Sequence, residues 1–227
     1  MSETPLLGGR VTPGVVRVGD TVRRPLSENS PFIHELLEHL HFAGFEAAPR
    51  FLGIDDQSRE ILSYIPGSVP PDLKPDHSDA TLATAAALIR SYHDATGGSA
   101  LARQHEVVCH NDLSPCNVVF RDRVPIGLID FDAAAPGTRA RDLGYALFLW
   151  LNLGTDGPDV FEQVRRGRVF LDAYGLAGRD GIVDEIMAVQ REGIERLRDP
   201  VRPEGHRWWA EQLAWVERNR TQLEGGL

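Results

Sequence analysis

The sequence predicts an α+β fold with two lobes, a small antiparallel sheet with one helix followed by a larger and mainly helical part. Short strand-like runs separated by glycine and polar turns fill residues 1–66, with one amphipathic helix among them. A segment rich in proline follows this part, at 66–75, and marks a boundary between residues 1–66 and 67–227. Helical periodicity dominates the second part, apart from one strand, loop and hairpin between residues 107 and 130.

The first part contains alternating apolar runs that predict two pairs of strands around polar turns. These runs are 15–18, 21–24, 51–54 and 60–65. Between the pairs, Ser30 and Pro31 are expected to begin a helix, with Ser30 as N-cap and Gly44 as the stop.

The second part begins with a long helix expected from Ser78 to Gly97, and an almost wholly apolar, hence buried, helix is expected after Arg141. Three amphipathic helices are predicted to follow, at about 158–174, 181–198 and 203–223. The tryptophans of the last segment are expected to pack in the core.

The most informative stretch is an apolar strand, Val107–Cys109, that leads into a polar loop containing Asp112 and Asn117. Residues 118–120 and 126–129 then predict a hairpin that leads into Asp130. If its turn centres near residues 123–124, Asn117 and Asp130 are cross-strand neighbours with Cβ atoms roughly 5 Å apart. One amide and one carboxylate oxygen are ligands that suit Mg²⁺, which adds waters and substrate phosphates.

Asp112 precedes Asn117 by five positions, the Asp-x-x-x-x-Asn spacing of the loop in which kinases keep a catalytic Asp. In such loops the Asp accepts the proton of the attacking hydroxyl group, and the Asn holds a metal ion. The pattern therefore points to phosphoryl transfer.

His110-Asn111-Asp112 through Asn117, followed by Ile129-Asp130-Phe131-Asp132, resembles the aminoglycoside phosphotransferase and choline-kinase-like family, a branch of the protein-kinase-like fold. Asn111 stands where that family usually has glycine. The resemblance implies ATP or GTP as phosphate donor, Mg²⁺ as cofactor and a small-molecule hydroxyl group as acceptor. It assigns Asp112 as catalytic base and Asn117 and Asp130 as metal ligands, and Asp132 as a residue that shapes the metal or acceptor site.

The resemblance also implies a nucleotide site in the first lobe. Gly8 and Gly9 match the glycine-rich connection that covers the phosphates, although a plain turn explains them equally well. Lys74, the only lysine among 24 basic residues, lies far from the third strand, so Arg24 is the stand-in for the family's strand lysine. The backbone of Ser63, Tyr64 and Ile65 is expected to meet the adenine edge. Plain core packing explains this apolar segment equally well.

Supporting residues follow from the same resemblance. The glutamate that pairs with the strand lysine is expected on the first helix, at Glu35 or with His34 in the equivalent position. Asp142 matches a family Asp that ties its helix to the catalytic loop. His93 and His110 are expected to be structural.

The composition limits the partners and the cellular location that we expect for the protein. The net charge of −9 argues against nonspecific nucleic-acid binding, and it is compatible with a cationic substrate or with a simple solubility effect. Cys109 and Cys116 are expected to be free thiols, and no signal peptide or membrane span is predicted, so we expect a cytoplasmic monomer or homodimer.

Two alternatives remain open from the sequence. The missing strand lysine is compatible with a catalytically impaired kinase-like protein that only binds a nucleotide or ligand. Transfer of AMP instead of phosphate would need a reversed nucleotide. The acceptor, whether an aminoglycoside-like antibiotic, choline or another metabolite, is not readable from the sequence.

Overall fold

A computed structural model of the chain describes residues 3–6, 14–73, 77–196 and 203–227. The first lobe is a five-stranded antiparallel sheet in the order β1-β2-β3-β5-β4. Its strands are β1 (Thr4–Pro5), β2 (Val16–Val18), β3 (Thr21–Pro25), β4 (Phe51–Ile54) and β5 (Arg59–Ser63). The helix α1 (Ser30–Phe42) stands between β3 and β4 in the chain and buries its apolar face.

The second lobe combines two small two-stranded sheets with six described helices. The pairs are β6 (Val107–Cys109) with β9 (Ala135–Gly137), and β7 (Val118–Arg121) with β8 (Val124–Leu128). The helices are α2 (Asp79–Thr96), α3 (Arg139–Trp150), α4 (Val160–Tyr174), α5 (Ile182–Arg196), α6 (Pro203–Arg218) and α7 (Arg220–Gly226). The predicted α+β layout is confirmed, and none of the helices in the described residues is long and apolar enough to cross a membrane.

Two helix boundaries differ from the sequence prediction. Asn29, not Ser30, is the N-cap of α1, because Ser30 is already helical and its Oγ accepts a hydrogen bond from Ser27 N at 2.8 Å. The Asn29 side chain instead donates to the Asp132 carbonyl oxygen at 3.0 Å, which joins α1 to the second lobe. The predicted last helix is two helices, because the chain breaks at Asn219.

The β7–β8 hairpin has a different register from the one expected. Its turn is Asp122-Arg123, and both residues have positive φ angles, 51° and 66°, as tight hairpin turns require. A bulge at Val119/Phe120 shifts the register, and Ile129 N donates to Asn117 O at 2.9 Å. Asn117 is therefore paired with Ile129, and Asp130 lies one residue beyond it.

The buried helix α3 holds the loop formed by residues 110–117. Trp150, fully buried, donates from Nε1 to the Leu113 carbonyl oxygen at 3.0 Å. The Asp142 carboxylate, also fully buried, accepts backbone N–H bonds from His110 at 2.7 Å and Asn111 at 2.8 Å. Asn111 has a φ of +60°, a conformation that costs energy and persists where its surroundings fix it.

A buried chain of side chains continues from Asp142. His93 Nε2 lies 2.9 Å from Asp142 Oδ2, and His93 Nδ1 lies 2.8 Å from the Tyr174 hydroxyl. Burial by itself raises the pKa of Asp142, but hydrogen bonds from His93 and from the His110 backbone outweigh burial and hold that pKa below its usual value. His93 is thus a satisfied core residue, as predicted.

Replacement of Gly193 by alanine should destabilise the protein by overpacking. A Cβ at Gly193 in α5 would lie 2.3 Å from Trp209 ring carbons of α6, so we expect a loss of about 1–3 kcal/mol in the free energy of unfolding. Gly225→Ala in α7 is the matched control, because a Cβ there meets nothing within 4 Å. Urea denaturation of both variants measures the difference, and equal stabilities would contradict the close packing of α5 on α6.

Asp142→Asn should cost about 3 kcal/mol of stability at pH 7, because it removes the charge of a buried carboxylate that accepts hydrogen bonds from His93 and from two backbone N–H groups. The pKa of Asp142 is lowered in the folded state, so its contribution is present above the unfolded-state pKa of about 3.9 and is lost as the pH falls through the lower folded-state value. The gap between wild type and variant should therefore shrink below about pH 4.

Urea denaturation between pH 3 and 7 measures that gap. Asp122→Asn, in the exposed hairpin turn at a φ that asparagine tolerates, is the control and should match wild type throughout. A gap that stays constant across the range would exclude ionised Asp142 as the stabilising group.

Candidate functional site

The Asp112 carboxylate is held on both sides by hydrogen bonds. Asn117 Nδ2 donates to Asp112 Oδ2 at 2.8 Å and to the Asp112 carbonyl oxygen at 2.9 Å. The Tyr145 hydroxyl donates to Asp112 Oδ1 at 2.6 Å. Both carboxylate oxygens are therefore fixed in direction while lone pairs remain for a further proton donor. A carboxylate held in this way can orient a hydroxyl group and accept its proton.

Asn117 and Asp130 lie on the wall of one cavity of about 360 Å³ between the lobes. The Asn117 amide nitrogen is used by Asp112, which leaves the amide oxygen as the atom available to a cation. Arg24 lies on the same wall. The sequence thus brings the three predicted residues Asp112, Asn117 and Asp130 into one region of the structure.

Asp130 has a left-handed backbone, with φ 66° and ψ 63°. His110 supports this segment, because its Nε2 lies 3.0 Å from the carbonyl oxygen of Ile129. Burial, followed by the nearby Asp132 carboxylate, raises the pKa of Asp130, and the positive charge of Arg24 opposes this rise. A second cation beside Asp130, in addition to Arg24, would reduce the remaining repulsion between the Asp130 and Asp132 carboxylates.

Arg24 on β3 contacts three carboxylates. Its Nη2 donates to Asp132, its Nη1 lies 3.4 Å from Asp130 Oδ1, and its Nε lies 2.9 Å from Glu60 Oε1. The contact with Glu60 is an ion pair without hydrogen-bond geometry. Burial lowers the pKa of Arg24, but Asp132, Asp130 and Glu60 outweigh burial and raise it above the ordinary value.

The acid that pairs with Arg24 comes from the sheet and not from α1. Glu60 is 1% exposed and lies opposite Arg24 in the β3–β5 register. His34 of α1 joins the pair from the other side, with Nε2 at 2.7 Å from Glu60 Oε2. Glu35 is exposed on the helix, so the expectation that Glu35 is the partner is wrong, and His34 occupies the inward position.

Ser63, Tyr64 and Ile65 line the large cavity at the edge of the sheet. Ser63 N donates to Arg50 O, and Tyr64 N donates to Asp20 O, both at 2.9 Å. Those two N–H groups are therefore not available to a ligand in this conformation, and any adenine contact uses the other backbone groups of the segment. The other predicted nucleotide contacts, Gly8 and Gly9, lie outside the described residues.

The donor set around Asp130 suits Mg²⁺. Asp132 Oδ1 is buried and has no hydrogen-bond partner among the described residues, and Asn117 contributes an amide oxygen. No group of three or more His, Cys, Asp or Glu side chains able to hold a metal occurs in the part of the chain that the structure describes. A site with few protein ligands is typical of Mg²⁺ bound together with substrate phosphates.

Tyr145 is a functional candidate that the sequence did not reveal. It lies in the apolar run of α3, is 9% exposed, and its pKa is raised by burial and by the Asp112 carboxylate. The one available signal was the spacing Asp142-x-x-Tyr145, which puts both side chains on the face of α3 that meets the 110–117 loop.

The cysteines agree with the sequence prediction. Neither Cys109 nor Cys116 forms a disulfide bond among the described residues, and Cys109 is buried in β6, where burial raises the pKa of its thiol.

Comparisons with known proteins agree with the geometry. The profile of the phosphotransferase enzyme family matches residues 99–182, which include the 110–117 loop, the hairpin and Asp142. A trifolitoxin immunity protein of Rhizobium leguminosarum bv. trifolii is 32% identical over 258 aligned residues, which cover 97% of this chain and 96% of the relative.

Solved structures share the fold at low sequence identity. An aminoglycoside 2'-phosphotransferase-IIIa in complex with GDP superposes with a TM-score of 0.61 at 15% identity, over 97% of this chain and 93% of that one. An ethanolamine kinase of Plasmodium vivax gives a TM-score of 0.56 at 12% identity, over 89% and 80%. The near full-length relative and the matching profile together show that the chain belongs to the phosphotransferase enzyme family.

Proposed function

We propose that the protein transfers the γ-phosphate of ATP, or of GTP, to a hydroxyl group of a small molecule, with Mg²⁺ as cofactor. The observation that carries the proposal is the Asp112 carboxylate, held by Asn117 and Tyr145 at 2.8 and 2.6 Å beside the cavity that Arg24 and Asp130 line. Membership of the phosphotransferase enzyme family supports it.

In the proposed reaction Asp112 accepts the proton of the acceptor hydroxyl while the hydroxyl oxygen forms a bond to the γ-phosphorus. The bond between the γ-phosphorus and the bridging oxygen of ADP breaks, and ADP leaves with that electron pair. Asn117 and Asp130 would hold Mg²⁺, which neutralises charge on the phosphates. Catalysis of this type is mainly positioning and electrostatic stabilisation.

The first-lobe residues have supporting roles in this proposal. Arg24 holds Asp130 and Asp132 in place before nucleotide binding, and its side chain is fixed in turn by Glu60. Ser63, Tyr64 and Ile65 form the wall on which the base would lie. Gly8 and Gly9 remain candidates for the loop over the phosphates.

For the acceptor we propose an antibiotic or a metabolite. The Rhizobium relative is named for immunity to trifolitoxin, and neighbours of the same fold are named as aminoglycoside phosphotransferases and as an ethanolamine kinase. Inactivation of a toxic compound by phosphorylation is therefore a role to test, in the cytoplasm where ATP is available and thiols such as Cys109 and Cys116 stay reduced.

The second candidate is a kinase-like binding protein without transfer. Its specific support is Arg24, which replaces the strand lysine and pairs with Asp130, the acid that would bind Mg²⁺, and with Asp132 beside it. A thermal-shift assay with ATP, with and without Mg²⁺, followed by ATP consumption over a panel of hydroxyl compounds separates the two. Stabilisation without turnover on any acceptor favours the binding protein, and the mass of the product distinguishes phosphate from AMP transfer.

Asp130→Asn and Asp112→Asn should have different effects. Asp130→Asn removes a charged metal ligand, so we expect loss of the Mg²⁺-dependent part of nucleotide stabilisation in the thermal shift. Asp112→Asn keeps nucleotide and metal contacts but removes the base, so turnover should fall by about 100-fold or more.

Asp122→Asn in the exposed turn of the same hairpin is the matched control for both variants and should bind and turn over as wild type does. Unchanged turnover in Asp112→Asn would remove the base assignment. Intact Mg²⁺ dependence in Asp130→Asn would remove the metal assignment.

A further inference from the structure

A second cavity, of about 250 Å³, lies between α3 and α5 next to the 110–117 loop. Its volume is below the roughly 300–1,000 Å³ of typical ligand sites, so it suits one functional group and a few carbons of a larger compound. It is lined by Asn111, Arg141, Tyr145, Val189, Glu192 and Arg196.

The Asp112 carboxylate connects this cavity to the one assigned to the nucleotide. Asp112 Oδ2 accepts from Asn117, which lines the large cavity, and Oδ1 accepts from Tyr145, which lines the small one. Asn111, the chain neighbour of Asp112, also lines the small cavity. A compound in the small cavity is therefore next to the proposed base, on the side away from Asn117.

The charge on the wall of the small cavity is positive, in a chain whose net charge is −9. Arg141 pairs with Glu192 through two hydrogen bonds, one of them at 2.8 Å. Arg196 lies beside the Tyr145 hydroxyl. It acts to lower the pKa of Tyr145, whereas burial has the larger effect and raises that pKa. No ion pair identified between described residues includes Arg196.

These charges discriminate between acceptors. An ammonium group in the small cavity would meet two guanidinium groups. Glu192, the one carboxylate among the residues that line this cavity, is already paired with Arg141. A carboxylate would gain charge-assisted hydrogen bonds from Arg196 and from the unused N–H groups of Arg141.

We propose that the acceptor is an anionic hydroxyl compound whose carboxylate binds Arg196 and Arg141 while its hydroxyl group meets Asp112. The proposal rests on the phosphotransfer function above and names its substrate class. It runs against the cationic acceptor that the acidic composition of the whole chain allows. The group transfer is unchanged: the hydroxyl oxygen gains the γ-phosphate and its proton passes to Asp112.

Calorimetry with matched ligands tests the charge preference without turnover. The protein is loaded with Mg²⁺ and a non-hydrolysable ATP analogue, and the probes are N-acetyl-L-serine with its neutral amide, D-gluconate with D-glucose, and ethanolamine and kanamycin as cations. We expect each carboxylate to bind about tenfold or more tightly than its neutral partner, because a hydrogen bond to a charged group is lost in the neutral one. Equal binding within both pairs, or no binding of either carboxylate, would overturn the proposal.

Arg196→Gln should remove that preference, and Arg196→Glu should reverse it in favour of the cations. Arg191→Gln is the matched control, since Arg191 lies on the same helix but pairs with Glu217 at 3.0 Å outside the cavity. With an acceptor that turns over, Arg196→Gln should raise KM about tenfold and leave kcat within about twofold, because it removes a binding contact.

Different results would overturn the phosphotransfer proposal and the anionic-acceptor proposal. Turnover of a neutral or cationic acceptor that Arg196→Gln does not affect would overturn the anionic acceptor and leave phosphotransfer intact. Carboxylate binding that depends on Arg196, without turnover of any acceptor, would instead support the anionic site and favour the binding protein over the enzyme.

Discussion

The buried carboxylate of Asp142 fixes the loop on which the proposed chemistry depends. It accepts two consecutive backbone N–H groups, from His110 and Asn111, at 2.7 and 2.8 Å. Those bonds offset the cost of the left-handed conformation of Asn111. Glycine would adopt that conformation at no steric cost, whereas Asn111 adopts it with its backbone N–H held by Asp142. The Asn111 side chain adds a bond to Ala133 O at 3.0 Å, which a glycine could not make.

Most of the fold and the order of the site residues followed from local sequence. The 110–117 loop, the hairpin and Asp142 have short-range patterns, and α2 begins after Ser78 as its cap residue indicated. The register of the hairpin did not follow, because a bulge at Val119/Phe120 is not encoded by alternation. The boundary between lobes, placed at 66–67, remains a prediction.

The features that sequence reasoning missed are long-range contacts. Asn29, not Ser30, is the N-cap of α1, and its side chain donates to the Asp132 carbonyl oxygen, more than a hundred residues away. Tyr145 looked like one more apolar residue of α3, and only the fold brings its hydroxyl to Asp112. Glu60 lies in the predicted strand 60–65, and only the fold shows that it is the buried partner of Arg24.

The acid that pairs with Arg24 lies on the sheet, whereas in protein kinases the acid that pairs with the strand lysine lies on a helix. A lysine ammonium is a compact charge, whereas the guanidinium is a planar fork whose three nitrogens can face three different acids. Arg24 uses that shape, with Nη1 toward Asp130, Nη2 toward Asp132 and Nε toward Glu60. Because Arg24 and Glu60 are cross-strand neighbours on one sheet, their pairing is set by strand register.

Because strand register sets the Arg24–Glu60 pair, the first lobe is coupled to the site differently from the first lobe of a protein kinase. In protein kinases the strand lysine pairs with a helix glutamate, so movement of the helix makes or breaks the pair. To this pair α1 contributes His34, which contacts Glu60 Oε2, whereas Arg24 faces Glu60 Oε1. A shift of α1 would therefore break the His34 contact and leave the Arg24–Glu60 pair in place, because strand register sets that pair.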